Sequence, residues 1–391
     1  MLKVGIVGLG QQGSFYTHLF QGGEVLPGLR LPQPTGGQLV AIADADPAAL
    51  ARLGAPYPDL QQFTSYEAML DAANLDAVLI ESPHYFHPAM AIEAMRRNVH
   101  VLVEKPAGVF TNDVQRMNDF AATKPDLTFA MMFNQRANPL YQKLKDLVTS
   151  GAIGAIRHTD WTITTWWRPQ SYFDLSAWRA TWAGEGGGVL INQAPHQVDL
   201  WQWICGMPAS VFCKAGYGRY RDIAVEDDVV ALASYAGGAT GVFRTATHDM
   251  LGTDRFEILG DQGKIVVEGS QRLTLRRLSR PEREISHSIP PGDVGPILKG
   301  EISLDHHVET EEFTFESAWG QQHRDVIQNF LDAINEGTPL VASGFEGIRA
   351  LELTNAMHLS SWLQREVTLP LDADLYEGEL QKRIDAEGST G

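Results

Sequence analysis

Lys3-Val4-Gly5-Ile6-Val7-Gly8-Leu9-Gly10-Gln11-Gln12-Gly13 is the stretch that decides the fold. Lys3 to Val7 reads as a short buried strand. Three glycines follow at G-x-G-x-x-G spacing, and Phe15, Leu19 and Phe20 then mark a helix. Each glycine has its own physical reason. Gly8 permits a tight turn, Gly10 lets a pyrophosphate approach the backbone, and Gly13 lets helix and strand pack closely. The helix N-terminus, at Gln11 and Gln12, offers free N–H groups and positive dipole to phosphates. The alternative is a glycine-rich turn that binds nothing.

Residues 21–38 are rich in Gly and Pro and read as an inserted loop. Leu39 to Asp44 is then the second strand, ending in an acid. Asp44 is placed to hydrogen-bond a ribose 2′-OH and would repel a 2′-phosphate. No Arg follows at once, so NAD is favoured over NADP. The alternative for Asp44 is a helix N-cap before Pro47. The βα alternation continues with strands at Asp76–Ile80, Val99–Glu104 and Leu127–Phe133, and helices at Ala89–Arg97 and Thr111–Ala122. These five strands are read as belonging to a six-stranded, doubly wound parallel sheet over residues 1–136. Its strands bring Asp44, Ser82, Pro83, His87, Glu104, Lys105 and Asn134 to one rim, at or just beyond their carboxyl ends, where they are candidate cofactor-binding residues. Within it, Val101-Leu102-Val103-Glu104-Lys105-Pro106 delivers a carboxylate and an ammonium to a strand end. Burial disfavours the lysine charge unless a partner such as Glu104 holds it. A surface Glu-Lys pair is the plainer reading.

After Pro139 the pattern changes to α+β. A helix at Leu140–Thr149 precedes strands at Ile156–Trp167, Val229–Tyr235, Thr240–Ala246, Arg255–Leu259, Lys264–Glu268, Arg272–Leu278 and Glu312–Phe315, mostly antiparallel. Helices at Gln322–Glu336 and Phe345–Gln364 close this second domain, residues 137–378, and 379–391 reads as a loose tail. Gly186-Gly187-Gly188 leads to Asn192, His196 and Asp199, spaced i, i+4, i+7 on one helix face. Pro195 requires the helix to be starting or kinked there. A histidine beside an amide and a carboxylate suggests a site, with an N-cap and a surface salt bridge as alternatives for Asn192 and Asp199. Seven of nine tryptophans lie between Trp161 and Trp203. They form either a sugar-stacking surface or a core or subunit contact. Trp166, Arg168, Trp178, Arg179 and Asp199 are candidate substrate-binding residues. His306 and His307 are adjacent and read as loop residues, so no metal site is expected.

The 391 residues are too many for one ordinary core, and a net charge of −17 argues against nucleic-acid binding. Two cysteines fit a reducing compartment. The N-terminus enters a strand without a leader pattern, and no stretch suits a membrane span, so a cytoplasmic location is expected.

On Gly8-x-Gly10-x-x-Gly13, Ser82-Pro83-x-x-x-His87, Glu104-Lys105-Pro106 and the glycine segment running to His196 and Asp199, the chain resembles the Gfo/Idh/MocA oxidoreductases. The resemblance implies a Rossmann domain, a second domain with a large open-faced sheet, and a homodimer or homotetramer formed through that sheet. It implies reversible oxidation of a sugar or polyol hydroxyl with NAD(P), and with the Asp44 reading this becomes NAD-dependent oxidation of a sugar, polyol or glycoside hydroxyl. Lys105 would hydrogen-bond the reacting oxygen, His196 would be the general acid/base, and Asn192 would position the substrate. Asn192 stands where the motif usually has Asp, which leaves open an NAD-dependent glycosidase acting by transient oxidation and elimination. A non-catalytic nucleotide- or sugar-sensing protein is the remaining alternative.

Overall fold

The computed structural model describes residues 1–316 and 318–388. The first part alternates strand and helix: β1 (Leu2–Val7), α1 (Gln11–Phe20), β2 (Gly37–Ala43), α2 (Pro47–Gly54), β3 (Gln61–Phe63), α3 (Tyr66–Ala72), β4 (Ala77–Ile80), α4 (His87–Arg96), β5 (His100–Val103), α5 (Thr111–Ala122) and β6 (Phe129–Met131). The strands pair in the order β3-β2-β1-β4-β5-β6, all parallel. The order reverses between β1 and β4, so their carboxyl ends flank the crevice where such folds hold ligands. All four residues of β4 are buried, as a strand covered on both faces requires. β3 carries no strand signal in Gln-Gln-Phe; pairing with Ala41–Ala43 makes it a strand.

The second part comprises α6 (Pro139–Thr149), β7 (Ile156–Ile163), α7 (Gln170–Phe173), α8 (Pro195–Cys205), β8 (Ser210–Tyr217), β9 (Glu226–Ser234), β10 (Thr240–Ala246), β11 (Asp254–Gly260), β12 (Gly263–Glu268), β13 (Arg272–Leu278), α9 (Glu282–Ser288), α10 (Val294–Leu298), β14 (Val308–Thr314), α11 (Gln321–Glu336), α12 (Gly347–Leu363), β15 (Val367–Thr368) and α13 (Ala373–Gly388). Nine strands form one sheet, ordered β14-β13-β12-β11-β7-β10-β9-β8-β15, antiparallel except for β7 with β10. Alternation along β9 puts Val229, Ala231 and Ala233 into the core and leaves Val230 and Leu232 exposed.

Three expectations change. The strand expected at Ile156–Trp167 stops at Ile163: Thr164 turns away, its hydroxyl donating to Asp249 at 2.6 Å, and the chain leaves the sheet. Helix α11 packs not on the second sheet but on the first, where Val326, Ile327, Phe330 and Leu331 join Val4, Ile6, Leu39 and Ile42. The supposed tail from 379 is the latter half of α13 through residue 388, with Tyr376 and Leu380 buried; residues 389–391 lie outside the described residues. Arg383 stacks 3.9 Å from the Trp362 ring centroid, and Glu387 accepts from the amides of Trp182 and Ala183 at 2.7 and 3.0 Å.

Candidate functional site

The glycine turn separates its three residues by what surrounds each. Gly8 has φ +89°, and a Cβ there would meet the Glu81 backbone at 2.6 Å. A Cβ on Gly13 would strike Gly8 O at 1.9 Å, so α1 lies against the turn. A Cβ on Gly10 meets nothing within 4 Å. Gly10 also caps α1 without a side-chain bond, so the amides near Gln11 and Gln12 are uncapped by protein side chains. Open space before an uncapped helix N-terminus fits a pyrophosphate. Ser82 Oγ and Asn134 Oδ1 are buried without partners among the described residues. Orphaned polar atoms on the same rim also fit a dinucleotide.

Asp44 sits at the expected strand end and braces the turn. Its carboxylate accepts from Leu9 N–H at 2.6 Å and from Asp46 N–H at 2.8 Å. The N-cap of α2 is Asp46, accepting from Ala48 N–H at 2.9 Å. Pro83 is exposed and begins the turn that returns the chain to α4. His87, expected on the cofactor, is a brace instead. Both ring nitrogens lie 2.7 Å from carbonyl oxygens, those of Ser82 and Pro106, which ties the Ser82 loop to the end of β5. Asn134 Nδ2 lies 2.9 Å from the ring of His323, a residue of α11 that no motif announced.

Lys105 emerges from β5 into a buried nest of acids. Glu104 does not hydrogen-bond the Lys105 ammonium. Its carboxylate accepts from Tyr16 OH at 2.8 Å and from Lys105 N–H at 2.7 Å. The ammonium crosses to the second domain and donates to Asn192 O at 3.0 Å. Burial pulls the Lys105 pKa down from 10.5, while Glu104, Glu185 and Glu81 oppose the fall. Burial pushes the Glu81 carboxyl well above the usual carboxylate range, and Glu104 pushes it further.

Asn192 and His196 do not share one helix. Asn192 lies in a wide π-type turn, Val189–Gln193, and His196 is the second residue of α8, beyond Pro195 and a non-helical Ala194. Pro195 at the first helical position costs no bond. The His196 pKa falls well below 6.5 through burial, then through the nearby charges of Lys105 and His323. Its Nδ1 is buried without a partner among the described residues.

Asp199, expected to line the pocket, belongs to the core. It takes a bidentate pair from Arg136, with Nε to Oδ2 at 2.8 Å and Nη2 to Oδ1 at 2.7 Å. Both side chains are within 1% of full burial. Three of those seven tryptophans, Trp161, Trp182 and Trp201, are buried in the core: Trp161 stacks on Phe256 at 4.3 Å and Trp201 on Phe243 at 5.4 Å. Trp166 is half-buried, with Nε1 lacking a partner among the described residues. Trp178 is partly exposed and meets the His84 ring edge-on at 6.3 Å. Arg168 and Arg179 lie over the Tyr172 ring at 5.2 and 4.6 Å, and Arg179 Nη1 donates to Tyr172 OH at 2.7 Å.

Sequence reasoning missed Glu81, His84, Glu185 and His323. His84 is held by the Glu185 carbonyl at 2.9 Å, and burial takes its pKa down to about 3. Burial takes His323 down to about 4. Glu185 is 1% exposed, lies 3.8 Å from Arg179 Nη1, and is pushed up to about 7 by burial. An acid directly before three glycines was the only available signal.

Residues 2–132 match the family described as "Oxidoreductase family, NAD-binding Rossmann fold", and residues 141–266 match the "GFO/IDH/MocA C-terminal domain". The chain is 25% identical over 296 residues to the levoglucosan dehydrogenase of Pseudarthrobacter phenanthrenivorans, covering 69% of this chain and 74% of that protein. It is 23% identical over 379 residues to the myo-inositol 2-dehydrogenase of Thermotoga maritima, covering 94% and 98%. The WlbA dehydrogenase of Bordetella pertussis, solved with NADH and UDP-GlcNAcA, superposes with a TM-score of 0.73 at 25% identity, covering 95% of this chain and 99% of that one.

Proposed function

The chain belongs to the Gfo/Idh/MocA oxidoreductases, whose N-terminal domain binds NAD, and on that premise we propose that it oxidises a hydroxyl of a sugar, polyol or glycoside, or reduces the keto form. The carrying observation is the bond from Lys105 Nζ to Asn192 O, 3.0 Å, four residues before His196. It ties Lys105 to the turn that leads into His196, and the Lys105 charge acts on the His196 ring. When bound, NAD supplies the hydride acceptor. His196, kept neutral by burial and by Lys105, takes the hydroxyl proton. Lys105, kept charged by its buried acids, donates to the oxygen as negative charge develops there. Asn192 positions the substrate. Gly8, Gly10, Gly13, Ser82 and Asn134 hold the dinucleotide, and Asp44 directs the choice of NAD over NADP.

The exposed sheet face supports self-association as a dimer or tetramer. Phe212 and Leu232 are cross-strand partners on it, 41% and 51% exposed, next to exposed Val230. Sedimentation of the wild type against Leu232→Glu checks this: the variant shifts toward monomer. For the activity, NADH formation is followed over polyols, aldoses, inositols and glycosides, with NAD and NADP in parallel. Turnover with at least one hydroxyl substrate is expected. Sugar release without net NADH would favour a glycosidase, and binding without turnover across the panel would contradict the proposal.

A further inference from the structure

Glu185 is almost wholly buried, and Arg179 Nη1, at 3.8 Å, is its ion-pair partner. Its two oxygens serve two segments. Oε2 accepts from Ala180 N–H at 2.7 Å, and Oε1 accepts from Asn192 Nδ2. An ionised carboxylate can only accept, so the carboxamide must turn its nitrogen inward. Asn192 Oδ1 then has no partner among the described residues, on a half-buried side chain whose own carbonyl is held by Lys105. The orientation of an isolated Asn amide is ambiguous; beside an acceptor-only group it is not.

We propose that Glu185 is a positioning residue that commits Asn192 to present an acceptor oxygen, so that Asn192 reads a donating hydroxyl on the substrate. This rests on the hydroxyl-oxidation reading of the same cleft. A carboxamide at position 192 brings no charge; Glu185 brings one, one side chain further from Lys105. Charged and titratable groups facing Glu185 are Arg179 on its own loop, Lys105 from the end of β5, and the His84 ring, which contacts its carbonyl.

The test uses polarity. In Glu185→Gln, the Gln oxygen can keep the Ala180 amide only by turning its NH2 toward Asn192. Asn192 then flips and offers NH2 to the cleft. In Glu185→Gln with Asn192→Asp, the Gln NH2 donates to the Asp carboxylate, whose other oxygen again faces the cleft. Assays use whichever of myo-inositol, levoglucosan and D-glucose the wild type oxidises fastest. Glu185→Gln is expected to lower kcat/KM about 10- to 100-fold, with NAD affinity and Tm nearly unchanged, because a hydrogen bond survives the flip. The double variant is expected to recover most of that loss. A merely structural Glu185 predicts a loss that tracks Tm. Wild-type kcat/KM in Glu185→Gln, or a double variant no better than the single one, would overturn the proposal. A second arm needs no turnover: the Asn192 side-chain amide resonance, assigned by its loss in Asn192→Asp, should move in Glu185→Gln. An unmoved resonance also overturns it. Lys105→Ala separates the two readings. If that variant loses turnover and the double variant is not rescued, only the Glu185 inference falls; if it keeps turnover, the underlying reading falls.

Discussion

Lys105 Nζ donates to the carbonyl oxygen of Asn192 at 3.0 Å, so a side chain from the end of β5 is fastened to the turn that launches α8. The pH dependence of oxidation follows from the groups around that bond. Glu185, pushed up to about 7, and His196, well below 6.5, must both be deprotonated, so kcat/KM rises with pH through about 7. Lys105 must keep its proton, and burial lowers its pKa from 10.5, so the alkaline limb falls below that value. A bell is predicted for kcat/KM, and Glu185→Gln should move its acid limb to lower pH. An acid limb unmoved by that substitution contradicts the assignment.

Asp199 is a structural partner of Arg136, not a substrate ligand. Asp199→Ala leaves a guanidinium buried at 0% exposure with Glu346 as its one remaining carboxylate partner among the described residues. Removing one member of a buried pair costs about 3–5 kcal/mol. Urea unfolding should register that loss, while the folded fraction keeps its KM. A loss below about 1 kcal/mol would place the pair among weak surface bridges.

Truncation after Gly378 removes most of α13. Burying Leu380 is worth about 1.5–3 kcal/mol, and the Arg383–Trp362 contact adds about 0.5–2 kcal/mol. Loss of Glu387 also frees the amides of Trp182 and Ala183, close to Glu185. Chemical denaturation should show a lower midpoint, and substrate KM should rise. Unchanged stability would mean that these contacts are not made.

Asp44→Ala removes a carboxylate that would oppose a 2′-phosphate. The ratio of kcat/KM for NAD over NADP should fall about 10-fold or more. Absolute affinity for NAD should also fall, because the Leu9 amide loses its acceptor. An unchanged ratio would remove Asp44 from cofactor selection.

The first sheet was legible because a parallel sheet writes continuous apolar runs and gathers its strand ends on one rim. Lys105, Ser82 and Asn134 could be named on that ground. The nest around Lys105 could not. Glu185 comes from a loop, and His323 from a helix whose apolar stripe says only that it is buried, not against which sheet. Asp199 shares helical spacing with His196, but periodicity does not reveal that Arg136, 63 residues earlier, claims its face. The helix α13 buries only Tyr376 and Leu380 fully, too few for a periodic signal.

The most direct test measures initial NADH formation and NAD binding separately for wild type, Lys105→Ala and His196→Ala on one substrate. Each variant should lose about 100-fold or more in kcat, while the Kd for NAD stays within about threefold. Wild-type turnover in either variant would contradict the claim that these two groups act on one oxygen.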